Sequence, residues 1–517
     1  MQIPSINQSD TGFLTQDLLT GLSQENLIDV IGQQSNVITE QQHRIAILEE
    51  YLRLERARLY GRSSEQHPGQ GDIFNEAELV SAAEIAEVEA TETTPKKKKS
   101  GGRKGLSKSL PREQLHINLT DEEKAGAIDT FYTLVKEELD IQPAKVRVIE
   151  HLQEKAVFAE EGQRSIKSAA LPKHPLFKCI ASVGLLAYII VAKYCDALPL
   201  YRLEKILARY GGEISRTSMA SWMIRLSVQL QPLVNLMREH QLQYDYIHLD
   251  ETRIQVLKEP GMSAISDKWM WVSRGGPPDK TSVIFEYDPS RSKDVPLRLY
   301  DSFCGYCQVD GYAGYNALCR PKEVTRVGCW DHCRRKFRDA KKAAQSNKGK
   351  KVVAKFDVAL SMIGKLYLIE RDIKALPPLE KYQQRQARSI PVLNNIKTWL
   401  DDNIIKVAKD SKTGVAMQYA LNQWPTLITY CEDGRLNISN IEVENAIRPF
   451  AQGRRSWLFA DTPKGAKASA ILYSLIESAK ANDLDPYAYI LAVLKQLPYA
   501  ETVEQIEMLL PWNIDLK

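Results

Sequence analysis

The sequence predicts a mixed α/β protein, and three observations predict it. Between Gln243 and Arg326, "YDYIHLDETRIQVL", "KWMWVSRG", "TSVIFEYD" and "GYCQVDGYAGY" are rich in β-branched and aromatic residues and are parted by Gly, Pro and Asp turns. From "CWDHCRRKFRDAKKA" to the end the texture is helical. Strands first and helices after imply a mixed core carrying a helical insertion. A heptad near the N-terminus adds a separate helix: Ile31, Ile38, Ile45, Leu52 and Leu59 recur every seven residues, with Leu48 on the adjoining seam.

The bulk numbers bound the class. A chain of 517 residues is long enough for three or four domains, and 44% hydrophobic with 26% charged residues fits a soluble globular protein. Net charge is only +4, so a nucleic-acid partner has to be argued from local clusters. "MQIPSINQSDTG" has no basic region followed by an apolar one, so no export signal is expected. The apolar run "CIASVGLLAYIIVA", bracketed by Lys178 and Lys193, falls short of the roughly 20 residues that span a bilayer and reads as a buried helix. Eight cysteines without an export signal imply reduced thiols in a cytoplasm.

The elements follow in order. Residues 1–60 are expected to form a short coiled coil that self-associates into a homo-oligomer, its zipper weakened by Gln34 and Gln41 at the other seam position. A single amphipathic helix packed on its own domain is the alternative. Residues 61–111 read as a disordered charged linker, acidic and then basic through Lys96, Lys97, Lys98, Lys99 and Arg103. That basic run is either a solvated tail or a grip on phosphates that reads no sequence. Residues 112–174 form a small mixed region with the strand-like "KVRVIEHLQEKAVFA". In 175–242, one helix of "YRLEKILARYGGEISRTSMASWMIRL" ends at Gly211-Gly212, and a second starts at Ser215 with Arg216, Thr217, Ser218 and Arg225. That is a helix-turn-helix outline for double-stranded DNA, although any helical hairpin can share it. Residues 243–333 hold the first part of the core, 334–440 a helical insertion, 441–462 a final core helix with a basic and aromatic segment, and 463–517 a helical tail.

Two strands end in an acid. Asp250 follows "YIHL", and Asp310 follows "CQV" before the turn "GYAGYN". A carboxylate at the end of a buried strand is costly unless it is paired or bound to a metal. Two of them form half a site for a hard cation such as magnesium, which takes oxygen ligands. A third comes from "NISNIEVENAIRPFAQGRRSWLFAD". Ser439 and Glu442 match a capping box, which leaves Glu444 free one turn into the helix. A plain i,i+4 pair with Arg448 is the other reading of Glu444.

Here the residues resemble a family. "HLDET" with "VDGYAGYNAL", "GCWDHCRRKF", "ENAIRPFAQGRRSWLF" and the C-terminal "DPYAYILAVLKQLP…LLPWN" look like the transposases of the insertion sequence 66 family, which are of the DDE type and bacterial. The likeness covers nearly the whole chain in the family's order, including "LYGRSSE", "GGRKGLSKSLPRE" and "LPLYRLEKILARYGGEISRTSMASW". It implies a ribonuclease-H-like catalytic core in which Asp250, Asp310 and Glu444 are the three catalytic acids. They would hold two Mg2+ or Mn2+ ions roughly 3.5–4 Å apart for in-line displacement at phosphorus, with no covalent enzyme intermediate. Arg448, Arg454 and Arg455 would then neutralise phosphates, and Trp457 would stack on a splayed base, with core packing the alternative for Trp457 and Phe459. The implied activity is metal-dependent cleavage at transposon ends and strand transfer into target DNA. The rivals are a non-catalytic DNA-binding protein and a structure-specific nuclease of the same fold. Elements resembling this family usually encode two small accessory proteins, which become candidate partners.

Two departures from the family pattern stand out. Its Cys-x-x-Cys zinc module near the helix-turn-helix has no counterpart, since 115–174 contains no cysteine, so no structural zinc is expected. The family's "DNN-x-x-ER" stands here as "SNIEVEN", with Ser439 and Asn445 in place of an acid and an arginine. Elsewhere Cys304, Cys307, Cys329 and His332 have zinc-like spacing. An odd separation on a strand points Cys304 and Cys307 to opposite faces, which favours buried or idle thiols.

Overall fold

The structure, a computed structural model, describes residues 31, 32, 34–42, 45, 49, 133, 145–160, 163–319, 323–345 and 354–516. The chain divides into two compact units, one of 1–63, 153–205 and 214–517, the other of 64–152 and 206–213. In the second unit, residues 145–152 carry no regular secondary structure, and Gly211 adopts φ 84°, a left-handed turn that glycine takes without strain.

In the first unit Ile31, Ile38 and Ile45 lie on helical backbone with exposed side chains. Leu48, Leu52 and Leu59 fall outside the described residues, as do Lys96, Lys97, Lys98, Lys99 and Arg103. The strand expected over "KVRVIEHLQEKAVFA" is shorter than its texture implied. Strand β1 (Lys155–Glu160) begins only where it gains a partner, β2 (Gln163–Ser168), in an antiparallel hairpin.

Helix α1 (Val183–Tyr194) buries Leu186, Ala187, Ile189 and Ile190, and Ser182 caps it by accepting from the Leu185 N–H. The apolar run is thus a core helix, and no helix among the described residues is long and apolar enough to cross a membrane. Helix α2 (Leu200–Arg209) precedes the Gly turn. Helix α3 (Arg216–Leu242) starts at the expected Ser215 cap but runs 27 residues, buried at intervals from Met219 to Gln241. It is therefore not a short, free-standing recognition helix. Its far end is fastened to the sheet, where the Gln241 side-chain amide donates to the Ser282 carbonyl at 3.0 Å and accepts from Ser273 Oγ at 2.6 Å.

The central sheet has the order β5-β4-β3-β6-β7. Strands β3 (Tyr246–Ile254), β4 (Lys268–Gly275) and β5 (Ser282–Asp288) form an antiparallel meander. Strands β6 (Gly305–Gln308) and β7 (Val324–Val327) extend the sheet parallel to β3. Under one face Ile247, Leu249, Trp271, Phe303, Cys307 and Val309 build a core. Along β5, helix α9 (Pro463–Ala481) supplies what a sixth strand would. Ser474 Oγ accepts from the Phe285 N–H at 2.8 Å, and Ser478 Oγ accepts from the Val283 N–H at 2.9 Å.

The insertion has its own core, built by helices α4 (Trp330–Gln345), α5 (Lys355–Asp372), α6 (Ile390–Ile404) and α7 (Lys412–Asn422) around Phe337, Ile363, Leu366, Leu393, Ile396 and Met417. Within it Arg385, 2% exposed, is bonded through its guanidinium to both Glu370 carboxylate oxygens and to the carbonyls of Tyr430, Asp433 and Leu436. Helix α8 (Ile441–Trp457) then crosses β3 and β4. After it Leu458 turns at φ 64°, and Ala460 bridges in parallel to Val256 just beyond β3.

Candidate active site

Strand alternation sorts the residues of β3 onto two faces. Ile247 and Leu249 enter the core, so His248, Asp250 and Thr252 face the other way, toward α8. Contacts on both sides of Asp250 confirm this: His248 Nε2 lies 3.9 Å from the Glu442 carboxylate, and Arg454 donates to Thr252 Oγ1 at 3.4 Å. Asp250 lies between them and accepts the Glu251 N–H at 2.9 Å. Burial pushes its carboxyl well above the usual range, and Glu251, Asp310 and Glu444 push it further. The three acids singled out in the sequence therefore share one electrostatic neighbourhood.

Asp310 reaches it through the parallel pairing of β3 and β6. Tyr246 faces Tyr306 and His248 faces Gln308, where the pairing and β6 end; Asp250 and Asp310 each follow two residues after that last pair. The turn after β6 is held from several sides. Asp310 Oδ1 accepts from the Tyr312 N–H at 2.9 Å, and Arg326 of β7 donates to the Asp310 carbonyl and, at 3.3 Å, to that of Tyr312. A Cβ on Gly311 would run into the outer end of the Tyr419 side chain, so glycine lets the insertion approach this turn closely.

Glu444 is placed by Asn440, which is fully buried. The Asn440 side chain donates to the Leu249 carbonyl at 2.9 Å and meets His248 Nδ1 at 3.1 Å. Its backbone N–H donates to Cys329 Sγ at 3.2 Å, and its carbonyl accepts from the Glu444 N–H at 3.2 Å. The expected capping box is absent. Asn440 rather than Ser439 is the N-cap, without a side-chain cap bond, and Glu442 turns to the sheet instead. There it accepts from Arg274 Nε at 3.0 Å and from the Asn437 side chain at 2.9 Å. Burial alone would raise the Glu442 carboxyl, but His248 and Arg274 hold it below the ordinary range.

Other participants carried little sequence signal. Glu251 faces the opposite side from Asp250; its side chain is 2% exposed, accepts from Arg291 Nε at 2.8 Å and is bonded by the Tyr315 hydroxyl. Two adjacent acids were the only hint, and because β3 runs on to Ile254 with β4 beside it, Asp250 and Glu251 sit in mid-strand rather than at the strand end the sequence implied. Asn440 and Arg326 act through contacts with residues far along the chain, which no local pattern announces.

The zinc-like foursome does not assemble as spaced. Cys304 is exposed and lies 3.9 Å from Glu323, while Cys307 is in the core. The group of metal-ligating side chains found among the described residues is Cys329, His332 and Glu444, with one ligand atom from each all within 4.8 Å of one another. His332 Nδ1 is 3.7 Å from Glu444 Oε1. Burial raises the Cys329 thiol well above its ordinary range and lowers His332.

The basic residues of α8 divide. Arg455 is exposed, whereas Arg448 and Arg454 are half-buried. Burial, then the charges of Arg455 and Arg253, lower Arg454 to about 10. Trp457 is packed rather than free: its ring meets Phe450 edge-on at 5.6 Å, and the Lys193 ammonium stands 5.3 Å over it. At the start of α3 Arg216 and Thr217 are exposed, while the Ser218 hydroxyl is taken up by Ser215 at 3.0 Å.

Comparison with known proteins gives matches along most of the chain. Residues 178–468 match the model of the transposase IS66 family, 474–512 that of the IS66 C-terminal element, and 47–115 one described as the transposase C of IS166 homeodomain. Uncharacterized protein y4qI of Sinorhizobium fredii (strain NBRC 101917 / NGR234) is 32% identical over 389 residues, covering 73% of this chain and 70% of the relative. Uncharacterized protein y4jD of the same strain is 30% identical over 425 residues, covering 79% and 81% respectively.

Proposed function

The chain belongs to the IS66 transposase family, and from that premise we propose that it is a DDE-type DNA transposase that cuts at transposon ends and joins them to target DNA. The observation that carries the proposal is that residues 60 and 194 positions apart in sequence from Asp250 meet it in the fold. Asp310 follows β6, the parallel partner of β3, and the buried Glu444 opens helix α8 across β3, both near enough to raise the Asp250 carboxyl along with its neighbour Glu251. An antiparallel meander followed by two parallel strands, with one acid within β3, one just past the adjacent β6 and one on a crossing helix, supports a ribonuclease-H-like reading of the core.

The donor set fits a hard divalent cation. Asp310 and Glu444 both raise the Asp250 carboxyl, and no ion pair among the described residues gives Asp250 a cationic partner. Asp250, Asp310 and Glu444 would hold Mg2+ or Mn2+, two ions in all. Such ions, when bound, supply Lewis acidity for in-line attack at a phosphodiester. Asn440 orients Glu444 against β3, and Arg326 fixes the turn that presents Asp310. Arg448, Arg454 and Arg455 provide positive charge for the DNA backbone next to the acids. Arg216 and Thr217 are exposed for contact with the transposon ends, and the homeodomain described for the model over 47–115 supports DNA binding there too.

The test is Mg2+-dependent cleavage and joining of a labelled transposon end, with Asp310→Asn alongside. Loss of at least about a hundredfold is expected, the scale on which single electrostatic groups act in catalysis. Undiminished activity in Asp310→Asn would remove that residue from the site.

A further inference from the structure

We propose that Cys329, His332 and Glu444 form a site for a thiophilic divalent ion such as Zn2+, and that its occupancy withdraws Glu444 from the hard-cation site. The effect on activity rests on the catalytic role given to Glu444 above; the binding itself does not.

The three donors come from two helix starts locked to each other. Cys329 immediately precedes α4, and His332 lies in its first turn, a C-x2-H spacing. Glu444 lies in the first turn of α8. Asn440 joins the two, since its N–H donates to Cys329 Sγ and its carbonyl accepts from the Glu444 N–H. No donor has to be recruited from a distance.

The spacing suits the ion. Bond lengths of about 2.0–2.3 Å to N, O and S around a tetrahedral centre place donor atoms about 3.3–3.7 Å apart. His332 Nδ1 and Glu444 Oε1 are already at 3.7 Å, and all three donors lie within 4.8 Å, so closing on an ion needs shifts of about 1 Å or less. His332 Nδ1 is buried and has no hydrogen-bond partner, as a lone pair reserved for a ligand would be. One sulfur, one nitrogen and one oxygen form a borderline-soft set that selects Zn2+ or Co2+ over Mg2+. On binding, the Cys329 thiol proton leaves to solvent, and the Asn440 N–H then supports the thiolate. Three protein ligands leave a fourth position open, the pattern of exchangeable rather than structural zinc.

The bland reading makes Cys329 a core thiol and His332 a neighbour of Glu444, and the two readings differ spectroscopically. The full-length chain is titrated with Co2+, whose bond to a thiolate gives a near-ultraviolet charge-transfer band, and Zn2+ is then used to displace it. The expected result is one ion per chain with the band in wild type and in Cys304→Ser, and binding at least tenfold weaker in both Cys329→Ser and His332→Ala. Absence of the band in wild type, its survival in Cys329→Ser, or undiminished binding in His332→Ala overturns the site. In a second arm, Zn2+ is added to Mg2+-driven DNA cleavage, and each variant is scored against its own zinc-free rate. The Zn2+ midpoint should rise at least tenfold in Cys329→Ser; an unchanged midpoint rejects the capture of Glu444. If wild type cleaves nothing with Mg2+, the transposase reading fails while the cobalt arm still decides the metal site.

Discussion

Asp250 is held in a place its ionised form dislikes. A carboxyl raised on folding binds its proton more tightly in the native state, so its contribution to stability falls as pH rises from the unfolded value through the folded one. At neutral pH without divalent ions, Asp250→Asn should therefore raise the melting temperature by a few degrees, about 1–2 kcal/mol, while losing activity. Adding Mg2+ should stabilise wild type and not the variant, which differential scanning calorimetry can read. Asn440 predicts the opposite sign. Asn440→Ala leaves the Leu249 carbonyl and His248 without their buried partner and should lower stability by about 2–3 kcal/mol in urea unfolding. At this scale Asp250 and Asp310 were singled out because an acid straight after an apolar run breaks a visible pattern, although β3 continues to Ile254 and leaves Asp250 in mid-strand. Glu444 was marked less by spacing than by its resemblance to a family. The capping box failed because Arg274, 168 residues away, pairs with Glu442 more strongly than a local backbone N–H would.

Elements were read well where their period was strong. All four strand-like stretches of the core form strands β3 to β6, and the apolar run became α1. Strand β7, "VTRV", was not singled out; four residues are too few to show a period, and its strandedness comes from its neighbour β6. The helix-turn-helix outline was right about the start of α3 but silent on its length, because apolar positions spread over 27 residues give no stop signal. The insertion was visible as helical texture, yet nothing in "QQRQARSIP" betrays that Arg385 is its centre. Arg385→Ala should leave the half-buried Glu370 and three carbonyls unserved, at a cost of about 3–5 kcal/mol in denaturant unfolding. A loss below about 1 kcal/mol would show that the insertion does not depend on this network.

For the whole molecule, the heptad predicts that assembly and core folding are separable. Removing residues 1–60 should lower the mass measured by light scattering to that of a single chain, with the far-ultraviolet circular dichroism of the core retained. An unchanged oligomer would move self-association elsewhere. The serine hydroxyls of α9 have a consequence for how this chain can be shortened. Ser474 and Ser478 blunt what would otherwise be an adhesive margin of the sheet. A premature stop upstream of them would thus do more than delete a tail: it would bare β5 as a template for foreign strands, and such fragments should precipitate rather than linger as inert remnants.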